Sequence, residues 1–315
     1  MSSRITIVDV ARQAGVAVGT ASDALNGKGR VSHATRERVL ATATELGFRP
    51  HRTARGLPSG LSMAIGMRFD HEDAVPPGSF FVDVLDAAAT AAGERGYGLL
   101  VSTSDVDETA FIDGLIVVDP ADGEHLDALA EEGLPVVTIG RPRRRTPHVP
   151  WVDVDHAAAV RLLLEHLAMK ARPGPAWLLS QPQRYFFTID LENAFSAWCM
   201  EHDRAAVVLH TESQPRAAVE KVASSMAASD PPALVVTVDE RQAIGVHAAL
   251  TSAGHDAAIG SAVDDEALGW LVPGVTAVAL DAARHGRQAI TMVFDWLASG
   301  SRPPDALLPA RVVTR

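Results

Sequence analysis

A single cysteine in 315 residues excludes an intramolecular disulfide and fits a reducing cytoplasm. It is Cys199, in the apolar, helix-like run Ala194-Phe195-Ser196-Ala197-Trp198-Cys199-Met200, which marks a packed core thiol rather than a nucleophile. No run of eighteen apolar residues occurs, so no membrane span is expected. The opening Met1-Ser2-Ser3-Arg4-Ile5-Thr6 lacks the apolar core of a signal peptide. Catalytic signatures are missing too: there is no His-Glu-x-x-His, no Gly-x-Ser-x-Gly, no Walker loop and no cysteine cluster. Gly93, Gly96 and Gly98 lack dinucleotide-binding spacing and read as a helix end leading into a strand. The 12 histidines are scattered without ligand spacing. The expectation is a protein that is no enzyme and uses no cofactor or metal.

What is present is globular: 47% hydrophobic and 21% charged residues, on a chain long enough for more than one domain. The net charge of −11 argues at first against a nucleic-acid partner, but its distribution reverses that. Of the 28 basic and 39 acidic side chains, nine and four fall within residues 1–60, a net of +5. The other 19 and 35 give the remainder a net of −16. A basic head on an acidic body is the split expected of a small DNA reader with a separate sensor.

Within the head, two short apolar-periodic segments flank Gly15. Thr6 followed three residues on by Asp9 has the form of a capping box, in which the Thr6 hydroxyl accepts from an orphan N–H. Ile7, Val10, Ala11 and Ala14 share one face, and Gly15 suits a left-handed stop. In the second segment Val16, Thr20, Ala21, Ala24 and Leu25 turn inward, leaving Val18, Gly19, Ser22 and Asp23 outward. This is a helix-turn-helix pattern, or an ordinary pair of core helices. A third helix, capped by Ser32, runs through Leu40, Ala43 and Leu46 to Gly47.

At this point the sequence resembles the lac-repressor (LacI) family of bacterial transcription regulators. The matching residues are Thr6-Ile7, Asp9-Val10-Ala11, Ala14-Gly15-Val16, Thr20, Ser22, Leu25-Asn26, Val31-Ser32, Thr35-Arg36, Glu45-Leu46-Gly47-Phe48, Pro50, Ala54-Arg55 and Leu57. The resemblance implies a DNA-binding head over residues 1–50, a hinge over 51–60 and an effector-binding, dimerising body over 61–315. Its body would have two α/β lobes like a periplasmic sugar-binding protein. The first takes about 61–152 and 281–300, the second about 153–280 and 301–315.

By that resemblance the second helix reads a double-stranded DNA operator, with Val18, Gly19 and Asp23 at base edges. Asp23 is otherwise a solvated helix-face acid. Thr6, Ala17, Thr20, Ser22, Asn26, Ser32 and Thr35 are the backbone-contact candidates, although Ala17 stands where the family usually has serine. In the hinge, Leu57 would wedge into the minor groove, with Ala54 on its partner helix and Arg55 on phosphate. Gly56 and Pro58 permit only a short helix there, or a plain linker. With no heptad tail after Arg315, the expectation is a homodimer on a near-palindromic site, more a repressor than an activator.

The body reads as alternating strands and helices, hence an α/β fold with parallel sheets covered on both faces. The eleven residues 104–114 are short for a parallel crossover, which implies either one or two helical turns or a rearranged sheet edge. For the cleft, the resemblance implies Phe80, Phe81, Arg141, Trp151, Leu191, Phe195, Val238, Asp239 and Asp264. Leu191 and Val238 stand where sugar-responsive relatives have an arginine and an asparagine. Losing both removes the groups that fix a polyol, so the small-molecule effector is expected not to be a typical free sugar, or to be absent. The run Arg141 to Arg145 suits an anionic effector or a solvated loop. The competing reading is a small-molecule-binding α/β protein whose head is incidental.

Overall fold

The computed structural model describes residues 5–26, 31–46, 61–70, 78–102, 111–120, 124–144, 146–181, 185–211, 215–226 and 230–315. The chain divides into two compact units, residues 1–63 and 64–315.

The first unit holds α1 (Ile7–Ala14), α2 (Val18–Asn26) and α3 (His33–Glu45). Its core is small: Val10, Ala11, Ala14, Ala21, Ala24, Val39 and Ala43. On α1 and α2 these are the inward faces that the periodicity predicts, while on α3 it is Val39 that is buried and Leu40 that is exposed; the alanines let three short helices approach closely. Gly15 adopts φ +64°, which an L side chain disfavours, and Val16 N–H closes back onto Ala11 O at 3.0 Å. Arg38 reaches from α3 to donate Nε–H to the Ala14 carbonyl at 3.1 Å, tying the third helix to the end of the first. Ser32 caps α3, accepting from Thr35 N–H at 3.3 Å. The start of α1 is the capping box that the spacing predicts: the Thr6 side chain meets the Asp9 amide, and the Asp9 carboxylate accepts the Thr6 amide at 2.9 Å. The carboxylate also accepts the Thr6 hydroxyl proton at 2.6 Å, a charge-assisted bond. Those hydrogen bonds hold the Asp9 carboxyl below its usual range.

The second unit carries two six-stranded sheets. The first is built from β1 (Ala64–Phe69), β2 (Gly98–Ser102), β3 (Gly114–Val118), β4 (Val136–Ile139), β5 (Trp151–Val154) and β11 (Ala306–Leu308), in the order β11-β5-β4-β3-β1-β2. All its pairings are parallel. The second sheet has β6 (Ala176–Ser180), β7 (Ala206–His210), β8 (Leu234–Thr237), β9 (Ala258–Ser261), β10 (Thr276–Ala279) and β12 (Arg311–Thr314). Its order is β12-β10-β9-β8-β6-β7, parallel except for β12 against β10. Central strands such as β3, β4 and β6 are buried at every residue, which is why they read as unbroken apolar runs.

Helices cover both faces: α4 (Ser79–Glu94), α5 (Glu124–Glu131), α6 (His156–Ala168), α7 (Phe186–Glu201), α8 (Pro215–Met226), α9 (Glu240–Ser252), the short α10 (Glu266–Leu271) and α11 (Ala282–Ser299). The α4–α11 crossing turns on Gly286, where a β-carbon would lie 2.4 Å from the Val84 carbonyl oxygen. Cys199 is buried in the core, with its thiol pushed up to about 11 by burial. Among the described residues no helix is long and apolar enough to cross a membrane.

Two expectations need correction, and of two alternatives left open one is removed. The lobe limit at 152/153 cuts through β5, which runs to Val154 in the first sheet. Residues 306–308 also belong to the first sheet and not to the second lobe, because β11 pairs with β5. The sheet edge next to 104–114 is regular: β2 and β3 flank β1 in parallel. The crossover itself, residues 103–110, lies outside the described residues.

Candidate functional site

Two sets of residues carry the functional expectations, one on the head and one in the cleft of the body. On the head, Ala17, Val18, Gly19 and Asp23 are exposed together, with Val18 44% exposed. A β-carbon on Gly19 would meet nothing within 4 Å. Thr20 and Ser22 are half-buried beside them. This is the face left free after Ala21 and Ala24 are spent on the core. Ala17 accepts the first helical bond, from Ala21 N–H at 2.9 Å, so it holds the cap position without a side-chain oxygen. Asn26 is the last residue of α2. Ser32 and Thr35 face each other, Oγ to Oγ1 at 2.9 Å, at the start of α3. Thr6 is engaged with Asp9 as described above. Ala54, Arg55 and Leu57 lie outside the described residues.

In the body, Arg141 leaves the carboxyl end of β4 and becomes the centre of a charge network. Its backbone N–H and Nε–H both reach Asp153 Oδ2, at 3.3 and 2.9 Å. Its Nη2 reaches Asp190 Oδ2 on α7 at 2.8 Å and the Val154 carbonyl at 3.5 Å. The guanidinium lies 4.3 Å from the Phe186 ring centroid and 5.6 Å from that of Trp151. Asp153 is only 3% exposed, and its second oxygen takes Val154 N–H and His156 Nε2, both at 2.8 Å. Burial works to raise the Asp153 carboxyl, but His156, Arg141 and the amide outweigh it and hold it low. Asp119, at the end of β3 with φ +49°, has the opposite fate: burial and the Asp153 charge push it up to about 7. Burial raises Asp190 despite Arg141. It also lowers His285, which holds the Asp281 carbonyl through Nδ1 at 3.0 Å and meets Phe80 edge-on at 5.4 Å.

The expected cleft residues divide. Arg141 and Trp151 come together, and Phe80 packs edge-on against Phe81 at 5.7 Å. Leu191, Phe195 and Val238 instead sit in the hydrophobic core at 2% exposure or less, so none offers a polar handle. Asp239 caps α9, accepting from Gln242 N–H at 2.8 Å and Gln181 Nε2 at 3.2 Å. Asp264 is gripped by both arms of Arg315, at 3.0 and 2.6 Å. Sequence reasoning missed Asp119, Asp190, His156 and His285. Asp119 directly follows an all-apolar strand, at the carboxyl end where ligands of such sheets bind, and that signal was available. One group of the kind that holds a cation, Asp127, Glu131 and His148, has its ligand atoms within 4.8 Å of one another, with Asp127 half-buried and the other two exposed. Those groups already pair with each other: His148 N–H donates to Asp127 at 2.9 Å, and its Nε2 lies 3.3 Å from Glu131.

Comparison with known proteins follows the same division. Residues 6–51 match the family described as bacterial regulatory proteins, lacI family, and residues 164–315 match a periplasmic binding protein-like domain. The maltose regulon regulatory protein MalI of Escherichia coli (strain K12) is 37% identical over 194 residues, 57% of this chain and 55% of that protein. The regulator PtxS of Pseudomonas plecoglossicida is 36% identical over 180 residues, 52% of this chain and 51% of that one. The chain thus spans about half the length of these curated relatives. Among solved structures, the lac repressor dimer bound to operator and the anti-inducer ONPF aligns with a TM-score of 0.83 at 22% identity, covering 99% of this chain and 98% of that one. The transcriptional regulator CelR–cellobiose complex aligns at 0.70 and 20% identity over 99% of each chain. These are likenesses of fold: a helical head followed by two parallel-sheet lobes. The head thus matches the lacI family of bacterial regulatory proteins and the body a periplasmic binding protein-like domain, and the two stand in the same order as in the regulators to which the chain is similar.

Proposed function

We propose that the chain is a sequence-specific DNA-binding transcriptional regulator, a cytoplasmic homodimeric repressor acting on a near-palindromic operator. The observation that carries this reading is the head. A left-handed Gly15 turn joins α1 to an α2 whose outward face is short, exposed and not needed by the core. Such a helix fits a major groove. Val18 would meet a thymine methyl and Asp23 a cytosine amine, while Thr20, Ser22, Ser32 and Thr35 set the register on phosphates. The hinge residues Ala54, Arg55 and Leu57 complete the proposal, with Leu57 as the minor-groove wedge. The domain scheme is head 1–50, hinge 51–60 and a two-lobed body. An effector in the cleft would bias the lobes by binding one arrangement better than the other. Since Leu191 and Val238 are buried and aliphatic, that effector is not a typical free sugar.

A second reading, a regulator with no effector, is favoured by Asp239 and Asp264, whose carboxylates are already taken up inside the protein. The test of the main reading is selection of bound sites from a random DNA pool, with Leu57→Ala in parallel. A palindromic site should be enriched, and the substitution should weaken its binding at least tenfold. Failure to enrich any site at low salt would sink the reading.

A further inference from the structure

Arg141 and Asp190 belong to different lobes. Arg141 ends β4 of the first sheet, and Asp190 lies on α7, which packs on the second. The first-lobe end of this contact is rigid, because two donors of Arg141 share one oxygen of the buried Asp153. The second-lobe end is a single carboxylate and a single ring. Asp190 and Phe186 are one helical turn apart, so both face the same guanidinium. Elsewhere on the cleft the lobes meet again. Gly78 precedes α4 in the first lobe, and a β-carbon placed on it would lie 2.9 Å from Glu240 Oε1 in the second. Glu240 is 8% exposed, and its carboxylate stands at the positive end of a sixteen-residue helix. The two contacts have the same polarity: each time the second lobe offers a carboxylate, Asp190 to a cation and Glu240 to the positive end of a helix.

We propose that Arg141–Asp190 and Glu240–Gly78 form a two-point interlobe clasp that holds the cleft closed without a ligand. Opening the cleft then requires breaking charge contacts built into the chain, and a compound entering it competes with them. The clasp goes beyond the regulator reading and does not depend on it: it concerns the lobes alone, whatever the head binds.

The test is hydrogen–deuterium exchange on the full chain, with neither DNA nor effector present. The variants are Asp190→Asn, which weakens the clasp from the second lobe, and Gly78→Ala, which crowds Glu240 from the first. Glu201→Gln is the control, since it removes the Arg161–Glu201 pair, whose two members both lie on second-lobe helices. Asp190→Asn should speed exchange across the cleft, in first-lobe residues 79–81, on the order of tenfold, the loss expected for a hydrogen bond to a charged group. Gly78→Ala should do the same in second-lobe residues 186–190. Glu201→Gln should change neither. Exchange that rises only beside each substituted residue, with the facing lobe unchanged, overturns the clasp.

Discussion

Ala17 occupies the cap of α2 with a methyl group. Restoring an oxygen by Ala17→Ser should stabilise the head by about 1 kcal/mol, because one orphan N–H of α2 gains an acceptor. Thermal unfolding of the chain followed at the head checks this, and an unchanged or lower midpoint would show that the cap is already satisfied. Asp119 gives a pH signature. Its carboxyl sits near 7 in the folded protein against 3.8 in the unfolded chain, so the folded state holds a proton that the unfolded state has lost between those values. Through this group, stability falls as pH rises across that window. Asp119→Asn should therefore be the more stable protein at pH 8, by about 4 kcal/mol, with the gap closing towards pH 4. Denaturant titrations of both proteins at the two pH values give the comparison.

Among elements, the α4–α11 crossing is a demanding contact. Gly286→Ala puts a β-carbon where the Val84 carbonyl already is, and neither partner is a flexible side chain. A loss of about 1–3 kcal/mol is expected, read from the denaturant midpoint. Most elements of the body were legible in the sequence because buried parallel strands leave continuous apolar runs. Those that escaped have physical reasons. β5 carries Asp153 in the middle, tolerated only because Arg141 and His156 pair with it. β11 is three residues long and follows two prolines. The first turn of α7 contains Phe186 and Phe187, aromatics that favour strands by propensity and are held helical by packing. The head was legible almost residue by residue, since its core is local. The cleft was not, because Arg141, Asp153 and Asp190 are brought together by topology and not by spacing.

At the scale of the whole molecule, charge is segregated: a head of +5 on a remainder of −16. If the head grips phosphates through six or more contacts, affinity for any duplex should fall about a thousandfold or more between 50 and 200 mM salt. Fluorescence anisotropy on one DNA at several salt concentrations measures the slope, and a flat response would mean the head does not use its charge. The path of the chain through the lobes has another consequence, for biosynthesis. The first sheet receives its last strand, β11, and its covering helix α11 only after the entire second lobe has been made. A ribosome that has delivered β1 to β5 has therefore produced a sheet with an open β5 edge and an α4 still lacking its helical partner. The first lobe cannot finish folding as it emerges; it must wait, exposed, until some 150 more residues have been added.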